Sequence, residues 1–232
     1  MRILALTHGP LVRAELYADV AREEGHELLE WEIVSRGRPP AGDHDAVMVF
    51  GGDMNVGEEL AHPWLHDEYE LLRGWAAAET PVLGVCLGAQ TLAHALGGRV
   101  ARAPEQLTGF YETELTDSGV EDPVLGVLPR RFSAFNGNAY AFTVPPGATE
   151  LARTTELQAP QAFRAGACAW GVQFHPEVRR EQVLRWWQDE ELPRPLEELE
   201  RELDANLAPW QELDRRLCRA FLSASRGTRP SG

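Results

Sequence analysis

The sequence has 232 residues, a length that fits one large α/β domain or two small ones, and its formal net charge is -14. The hydrophobic content of 44% argues against a disordered chain. The acidic balance argues against a nucleic-acid partner, and no apolar run is long enough to cross a membrane. The three cysteines, Cys86, Cys168 and Cys218, are too few and too widely spaced for a disulfide framework or a zinc cluster, so a cytoplasmic protein is expected.

The first half of the chain alternates between strand and helix patterns. Short apolar runs bounded by Gly, Pro or Asp predict buried strands at residues 2–7, 27–34, 45–50 and 81–86. Amphipathic spacing predicts helices at residues 11–24, 62–78 and 88–96. This alternation is typical of a parallel sheet that helices cover on both faces.

From about Arg99 the pattern changes to short strands with few helices between them. These strands are expected at residues 110–116, 131–135, 140–144, 149–154 and 161–166, and they indicate antiparallel additions to the sheet. One more buried strand at residues 167–174 and a helix at residues 181–190 follow. The tail from Leu192 to Ala224 is charged, with leucines at helical spacing.

We therefore predict an α/β fold of three layers, with a mainly parallel central sheet flanked by helices, extra antiparallel strands and a C-terminal helical extension. Residues 1–190 are expected to form the α/β domain, residues 191–226 the extension packed on or next to it, and residues 227–232 a disordered tail. Two interpretations of the leucine stripe stay open: packing within the chain, and a surface for a partner or a homodimer.

A single cysteine stands where a predicted strand meets a predicted helix, in the stretch Gly84-Val85-Cys86-Leu87-Gly88. This is the layout of a nucleophile elbow, in which a side chain on a strained turn stands clear of both elements. A Cβ atom at either glycine would hit neighbouring backbone, and the start of the helix favours a thiolate. A buried cysteine that ends a core strand is the competing interpretation.

A histidine follows the last buried strand, in the stretch "WGVQFHPEV". We expect His175 at the C-terminal end of that strand, which is the edge where open parallel sheets carry their sites. It could serve as the base that a thiol nucleophile needs, and Glu177 could hold its other ring nitrogen. Pro176 and Glu177 also suit the first turn of a helix, so His175 could instead be the neighbour of a helix cap.

Together, "GVCLGAQ" and "GVQFHPE" resemble the class I glutamine amidotransferases, the glutaminases with a Cys-His-Glu triad. The stretches "DAVMVFGGDMNV", "HPWL", "ALGGRV" and "QAFR" resemble the stand-alone members that are labelled GMP-synthase-like. The resemblance covers roughly residues 1–187. It implies the family's flavodoxin-like fold, a central and mainly parallel sheet flanked by helices.

The resemblance also implies a mechanism on glutamine or a related γ-glutamyl small molecule. Cys86 would attack the side-chain amide carbon, His175 would transfer protons, and Glu177 would orient the imidazolium. The backbone N–H groups of Gly52 and Leu87 would stabilise the oxyanion. Substrate contacts are implied for Gly51, Gln90, Asn136, Gly137 and Asn138. No metal and no organic cofactor is implied.

The substrate side departs from the family pattern in three places. Asp53 stands where the family often has a proline, and Leu107 stands where it has an acidic residue. The segment at residues 135–142 lacks two histidines, a tryptophan and an aspartate of the family, and has Asn136, Asn138, Gly137 and Tyr140 instead. The expected triad is intact while its substrate wall is altered, which favours changed specificity or weak activity over loss of activity.

Three functions therefore stay open. The first is a glutaminase that supplies ammonia to a separate synthase subunit, because the chain has no P-loop and no second domain for ATP chemistry. The second is a stand-alone hydrolase of a γ-glutamyl amine or a related compound, which needs the same triad and no partner. The third is a binding or regulatory protein with little or no turnover.

Other conspicuous residues are expected to be structural. This group consists of His94, Trp186, Trp187, Trp210, Cys168 and Cys218. His8, which follows the first strand, could line the same edge of the sheet as His175.

Overall fold

A nine-stranded sheet forms the centre of the structure, a computed structural model that describes residues 1–42, 44–187 and 195–226. In chain order the strands are β1 (Arg2–Thr7), β2 (Glu27–Glu32), β3 (Ala46–Val49), β4 (Val82–Val85), β5 (Val100–Leu115), β6 (Arg131–Phe142), β7 (Thr149–Thr154), β8 (Pro160–Ala165) and β9 (Ala169–Val172). Their order across the sheet is β2-β1-β3-β4-β9-β8-β7-β5-β6.

One half of the sheet is parallel and the other half is antiparallel. Strands β2, β1, β3, β4 and β9 run in parallel, and the remaining strands join them through antiparallel pairings that begin at β8. The carboxyl ends of β1, β3, β4 and β9 therefore meet at one edge. Open sheets of this kind bind their ligands at this edge, next to the point where the strand order reverses.

Helices cover both faces of the sheet and complete three layers. They are α1 (Glu15–Glu23), α2 (Ile33–Arg36), α3 (Trp64–Ala77), α4 (Leu87–Ala95), α5 (Asp117–Val120), α6 (Arg180–Trp186) and α7 (Leu196–Arg226), with a 3-10 turn at Leu125–Val127. Helices α1 and α7 pack on one face and α3 and α4 on the other, where each pair buries its own apolar cluster against the sheet. The predicted fold class is confirmed.

Several predicted boundaries are wrong, and the sheet explains most of them. Helix α1 begins at Glu15 rather than residue 11, and residues 33–36 leave β2 to form the short helix α2. The two strands predicted on either side of Gly137 are one strand, β6, because Gly137 pairs with Thr108 of a long β5. Pairing with the long strand β5 thus keeps β6 continuous through residues that have low strand propensity on their own.

The tail helix packs within the chain. Leu199, Leu203, Leu207 and Leu217 are all buried in the cluster that α7 shares with α1 and the sheet, which supports the intrachain interpretation of the leucine stripe. The parts of the predicted extension and tail at residues 191–194 and 227–232 lie outside the described residues, so the division of the chain near residue 190 stays a prediction. Among the described residues, no helix combines the length and apolar character that a bilayer crossing requires.

Candidate active site

Cys86 occupies a strained turn between β4 and α4. Its backbone angles are φ 51° and ψ -109°, a conformation that residues with a side chain rarely adopt. A Cβ atom at Gly84 or Gly88 would lie closer than 3.0 Å to backbone atoms, which confirms the steric reason expected for these glycines. The turn places Cys86 at the carboxyl edge of the sheet, directly before the first residue of α4.

His175 and Glu177 form a buried pair beside this turn. Nδ1 of His175 lies 2.9 Å from Oε1 of Glu177, and both side chains are almost fully buried. The backbone of His175 is held on two sides, since its N–H donates to the carbonyl of Phe135 at 2.8 Å and its carbonyl accepts from Nε1 of Trp210 at 3.1 Å. Cys86 and His175 line the same cavity, so the imidazole lies between the cysteine turn and the carboxylate of Glu177.

The electrostatics of this group favour a charged imidazolium. Burial alone would lower the pKa of His175, but the negative charges of Cys86 and Glu177 outweigh it and raise the pKa from 6.5 to about 10. His175 therefore carries its proton at neutral pH, beside the cysteine turn. A thiolate next to a proton donor is the state in which a cysteine nucleophile is ready to react.

A chain of two glutamines connects the sulfur to the substrate wall. Nε2 of Gln173 lies 3.7 Å from the Cys86 sulfur, and Nε2 of Gln90 donates to Oε1 of Gln173 at 3.3 Å and to the carbonyl of Tyr140 at 3.0 Å. Sequence reasoning did not single out Gln173. The signal was present, since a residue two positions before His175 at the end of a strand points to the same face.

Gly52 and Leu87 are the two residues whose N–H groups were expected to stabilise an oxyanion. Both line the same cavity as Cys86, and within the part of the chain that the structure describes, neither N–H donates a hydrogen bond. Gly51 lies behind them, and a Cβ atom there would come within 3.0 Å of Cε1 of His175. The glycine pair therefore lets the loop after β3 approach the cysteine and the histidine closely.

The cavity above these residues has a volume of about 470 Å³. Its far walls carry charged, amide and aromatic side chains, namely Asp53, Asn55, Glu58, Arg102, Gln106, Asn138, Tyr140, Trp186 and Trp187. Gly137 lines it as well, whereas Asn136 is fully buried and donates to the carbonyl of Ala134 instead. The structure thus brings Gly137 and Asn138 to the cavity but keeps the Asn136 side chain away from it.

Two tryptophans that were expected only to pack also form part of the cavity wall. The indole ring of Trp186 lies 4.7 Å from the imidazole ring of His175, and its N–H donates to the carbonyl of Leu11 at 2.8 Å. Trp187 packs against Trp186 at 5.7 Å. The expectation that these tryptophans pack is consistent with these contacts, and their place in the cavity wall follows because the helix that starts shortly after His175 returns over the cavity.

The remaining candidates lie away from the cavity. His94 is exposed and packs against the ring of Tyr69. Cys168 and Cys218 are buried elsewhere, and burial raises the pKa of both thiols. His8 does not line the cavity; it is buried beneath the glycine pair, with Nδ1 3.0 Å from the carbonyl oxygen of Gly51.

Comparison with known families gives one match over most of the chain. The family model described as glutamine amidotransferase class-I matches residues 21–184, which contain both Cys86 and His175.

Curated relatives carry related names. The glutamine amidotransferase-like protein YfeJ of Salmonella typhimurium is 28% identical over 189 residues, which cover 79% of this chain and 78% of YfeJ. One subunit of the glutamine-hydrolysing GMP synthase of Sulfurisphaera tokodaii is 31% identical over 138 residues, covering 59% of this chain and 69% of that relative. The glutamine-hydrolysing GMP synthase of Aeropyrum pernix is 39% identical over 105 residues, which cover 45% of this chain but only 20% of that longer protein.

Solved structures agree with the fold. A glutamine amidotransferase from Thermotoga maritima superposes with a TM-score of 0.81 at 26% identity and covers 98% of this chain and 99% of its own. A glutamine amidotransferase from Methylobacillus flagellatus superposes with a TM-score of 0.84 at 22% identity, covering 96% of this chain and 94% of its own. The second likeness concerns the fold alone.

Proposed function

The chain belongs to the class-I glutamine amidotransferase family, and on that premise we propose that it hydrolyses the side-chain amide of glutamine and supplies the ammonia to a separate synthase. The observation that carries this proposal is the arrangement of Cys86, His175 and Glu177 at the carboxyl edge of the sheet. A cysteine on a strained turn, a buried imidazolium and a carboxylate 2.9 Å from the imidazole stand on one side of a single cavity.

The proposed reaction has two halves. In the first half, the Cys86 thiolate attacks the amide carbon, the C–N bond breaks, and His175 gives its proton to the departing ammonia, which leaves a γ-glutamyl thioester. In the second half, His175 takes a proton from water, the hydroxide oxygen bonds to the thioester carbon, and glutamate leaves as the thiolate is restored. Glu177 keeps the imidazole oriented and stabilises its charged form in both halves.

Both halves pass through a tetrahedral oxyanion. We assign its stabilisation to the N–H groups of Gly52 and Leu87, because both residues line the cavity and neither N–H donates a hydrogen bond to a described residue. Removal of one such donor typically lowers the rate by about 10²–10³-fold. The three unpaired thiols suit a reducing cytoplasm, in which Cys86 stays available as a nucleophile.

The names of the relatives support a synthase as the ammonia acceptor. One relative is named as one of the subunits of a glutamine-hydrolysing GMP synthase, so a separate partner protein is an appropriate place to search for the acceptor. We propose a partner that binds next to the cavity, on the side of the exposed residue Asp53.

The altered wall favours a second candidate, hydrolysis of a γ-glutamyl amine. The cavity of about 470 Å³ lies within the range of about 300–1,000 Å³ that small-molecule sites occupy, which leaves room for a group on the amide nitrogen. Gly137 contributes no side chain to this wall, and Asp53, Glu58 and two indole rings border the remaining space. A substrate with an extended amine would use the same triad without a partner protein.

The first test is ammonia release from glutamine by the purified protein. We expect turnover by the wild type and by Cys168→Ala, and none by Cys86→Ala. A parallel series with γ-glutamyl alkylamides measures amine release, and a strong preference for these amides supports the second candidate. Thiol labelling at neutral pH should modify Cys86 faster than Cys168 and Cys218.

The outcomes separate the candidates. Rapid labelling of Cys86 without turnover of any γ-glutamyl compound would indicate a nucleophile that needs a synthase partner, and added candidate synthases then become the test. Slow labelling of Cys86 together with no turnover would refute the proposed reaction.

A further inference from the structure

A buried histidine–glutamate pair lies directly beneath the proposed oxyanion site. His8 follows β1 and Glu68 lies in α3, and both side chains are completely buried. Nε2 of His8 is 2.5 Å from Oε2 of Glu68, and its ring stacks on Trp64 at 5.1 Å. Neither His8 nor Glu68 lines the cavity, so the proposed reaction does not use them directly.

The other nitrogen of this histidine contacts the glycine loop. Nδ1 of His8 lies 3.0 Å from the carbonyl oxygen of Gly51, and a Cβ atom at Gly52 would come within 2.8 Å of Cβ of His8. A carbonyl oxygen only accepts hydrogen bonds, so Nδ1 carries the hydrogen. Burial opposes a charge on His8, but Glu68 and the loop carbonyls outweigh it and raise the pKa of the imidazole.

The geometry of the peptide unit transmits this contact to the cavity. The carbonyl of Gly51 and the N–H of Gly52 belong to one planar trans peptide and point in opposite directions. A carbonyl held towards the buried His8 therefore directs the N–H of Gly52 away from it, and Gly52 lines the cavity while His8 does not. Rotation of the same peptide would instead present a carbonyl oxygen to the forming oxyanion.

A peptide between two glycines needs such an anchor. Glycine populates both positive and negative φ angles, so Gly51 and Gly52 impose little preference on the peptide that joins them. We propose that His8, held by Glu68, is a positioning residue that fixes the Gly51–Gly52 peptide with its N–H directed at the oxyanion site. This inference rests on the proposed function for its catalytic consequence, but the anchoring itself is a structural statement.

Two double variants separate a positioning role of His8 from a packing role: the asparagine pair is His8→Asn with Glu68→Gln, and the leucine pair is His8→Leu with Glu68→Leu. Asparagine can place an amide nitrogen close to the position of Nδ1, so His8→Asn with Glu68→Gln keeps the donor to Gly51 and removes the charges. His8→Leu with Glu68→Leu keeps the buried volume and removes the donor. Thermal unfolding establishes that both proteins fold, and the rate of Cys86 alkylation by iodoacetamide reports the thiolate without involving an oxyanion.

The kinetic readout is the split between kcat and KM. For the leucine pair we expect kcat to fall about 10–10³-fold, with KM and the alkylation rate changed less than threefold, because a misdirected N–H affects only the oxyanion. For the asparagine pair we expect kcat within about tenfold of the wild type. Equal loss of kcat in both pairs, or no loss in the leucine pair, would overturn the inference.

A spectroscopic readout tests the anchor without any turnover. The chain contains two Gly-Gly pairs, Gly51-Gly52 and Gly97-Gly98. Protein labelled with ¹³C-carbonyl and ¹⁵N glycine therefore gives two HNCO correlations. The leucine pair should shift or broaden the Gly51–Gly52 signal and leave the Gly97–Gly98 signal in place, whereas the asparagine pair should move it less.

The kinetic and HNCO measurements distinguish failure of the proposed function from failure of the His8 anchor. If the wild type hydrolyses no γ-glutamyl compound and Cys86 is labelled slowly, the proposed function fails, and the HNCO signals still decide whether His8 holds the peptide. An unchanged Gly51–Gly52 signal in a folded leucine pair would refute the anchor whatever the activity of the wild type.

Discussion

Gly88 is the position where a single methyl group should disturb the elbow most directly. It lies in the first turn of α4, and its N–H donates to the carbonyl of Phe50 at 3.1 Å, so the helix starts in contact with the end of β3. A Cβ atom at Gly88 would come closer than 3.0 Å to the carbonyl group of Val49 and to 3.0 Å from its Cβ. These atoms belong to a buried strand and cannot yield as a flexible side chain would.

The expected magnitude follows from two opposing effects. Alanine is favoured over glycine in a helix by about 1 kcal/mol. A carbon atom normally stays about 3.3–3.6 Å from a carbonyl oxygen, so α4 would have to move away from β3. Overpacking of this kind costs about 1–3 kcal/mol or more. Since the displaced atoms are backbone, we expect the steric cost to exceed the gain and Gly88→Ala to be destabilised by about 1–2 kcal/mol.

Gly74 supplies a matched control. It lies in α3, and no atom stands within 4 Å of a Cβ added there, so Gly74→Ala should gain the helix preference without a clash. A change of 1 kcal/mol shifts the Tm of a domain of this size by about 2–4 °C. Thermal unfolding should therefore show a lower Tm for Gly88→Ala and a higher Tm for Gly74→Ala. Gly88→Ala should also slow the alkylation of Cys86.

The comparison can refute the reasoning. If Gly88→Ala raises Tm by as much as Gly74→Ala does, the contact between α4 and β3 is not tight. The steric account of the elbow would then be wrong.

Three further predictions concern the surroundings of His175. Glu177→Gln removes one of the negative charges that raise the pKa of His175 to about 10, so NMR titration of the imidazole should give a lower pKa; an unchanged value would contradict the coupling. Asp214 is fully buried, neither carboxylate oxygen accepts a hydrogen bond from the described residues, and burial, followed by the charge of Glu177, raises its pKa above 3.8. The unfolded chain thus loses this proton at a lower pH than the folded protein, so the free energy of unfolding falls as the pH rises above the pKa of Asp214 in the unfolded chain. Asp214→Asn should therefore reduce the fall in Tm between pH 4 and 8. Parallel curves of Tm against pH for the variant and the wild type would refute this role of Asp214. Trp210→Phe leaves the carbonyl of His175 without its buried donor and should cost about 1–3 kcal/mol in urea unfolding, whereas an unchanged midpoint would show that the bond contributes nothing.

The features that sequence predicted well are those fixed by short-range sterics and periodicity. The alternation of apolar strands and amphipathic helices gave the parallel half of the sheet. The glycines at 84 and 88 predicted a tight turn at Cys86, because their spacing leaves room for backbone and for no side chain. The positions of Cys86 and His175 after buried strands then predicted a shared edge, which the parallel pairing of β4 with β9 provides.

The features that sequence missed depend on contacts between distant parts of the chain. His8 and Glu68 are 60 residues apart, and only the strand order and the docking of α3 bring them together. Trp186 reaches His175 because α6 returns over the cavity, which amphipathic spacing does not specify. The continuous course of β6 through Gly137 depends on its pairing with β5, so the sequence of β6 alone predicted an interruption.

The bond between Trp210 and His175 also has a consequence for synthesis on the ribosome. The carbonyl of His175 receives its donor from a residue 35 positions later in the chain, at the middle of α7. At a translation rate of about 5–20 residues per second, that segment emerges about 2–7 s after the histidine. Until then the backbone carbonyl of His175 lacks this donor. The order of the elements along the chain thus makes this bond available only after the first half of α7 has been synthesised.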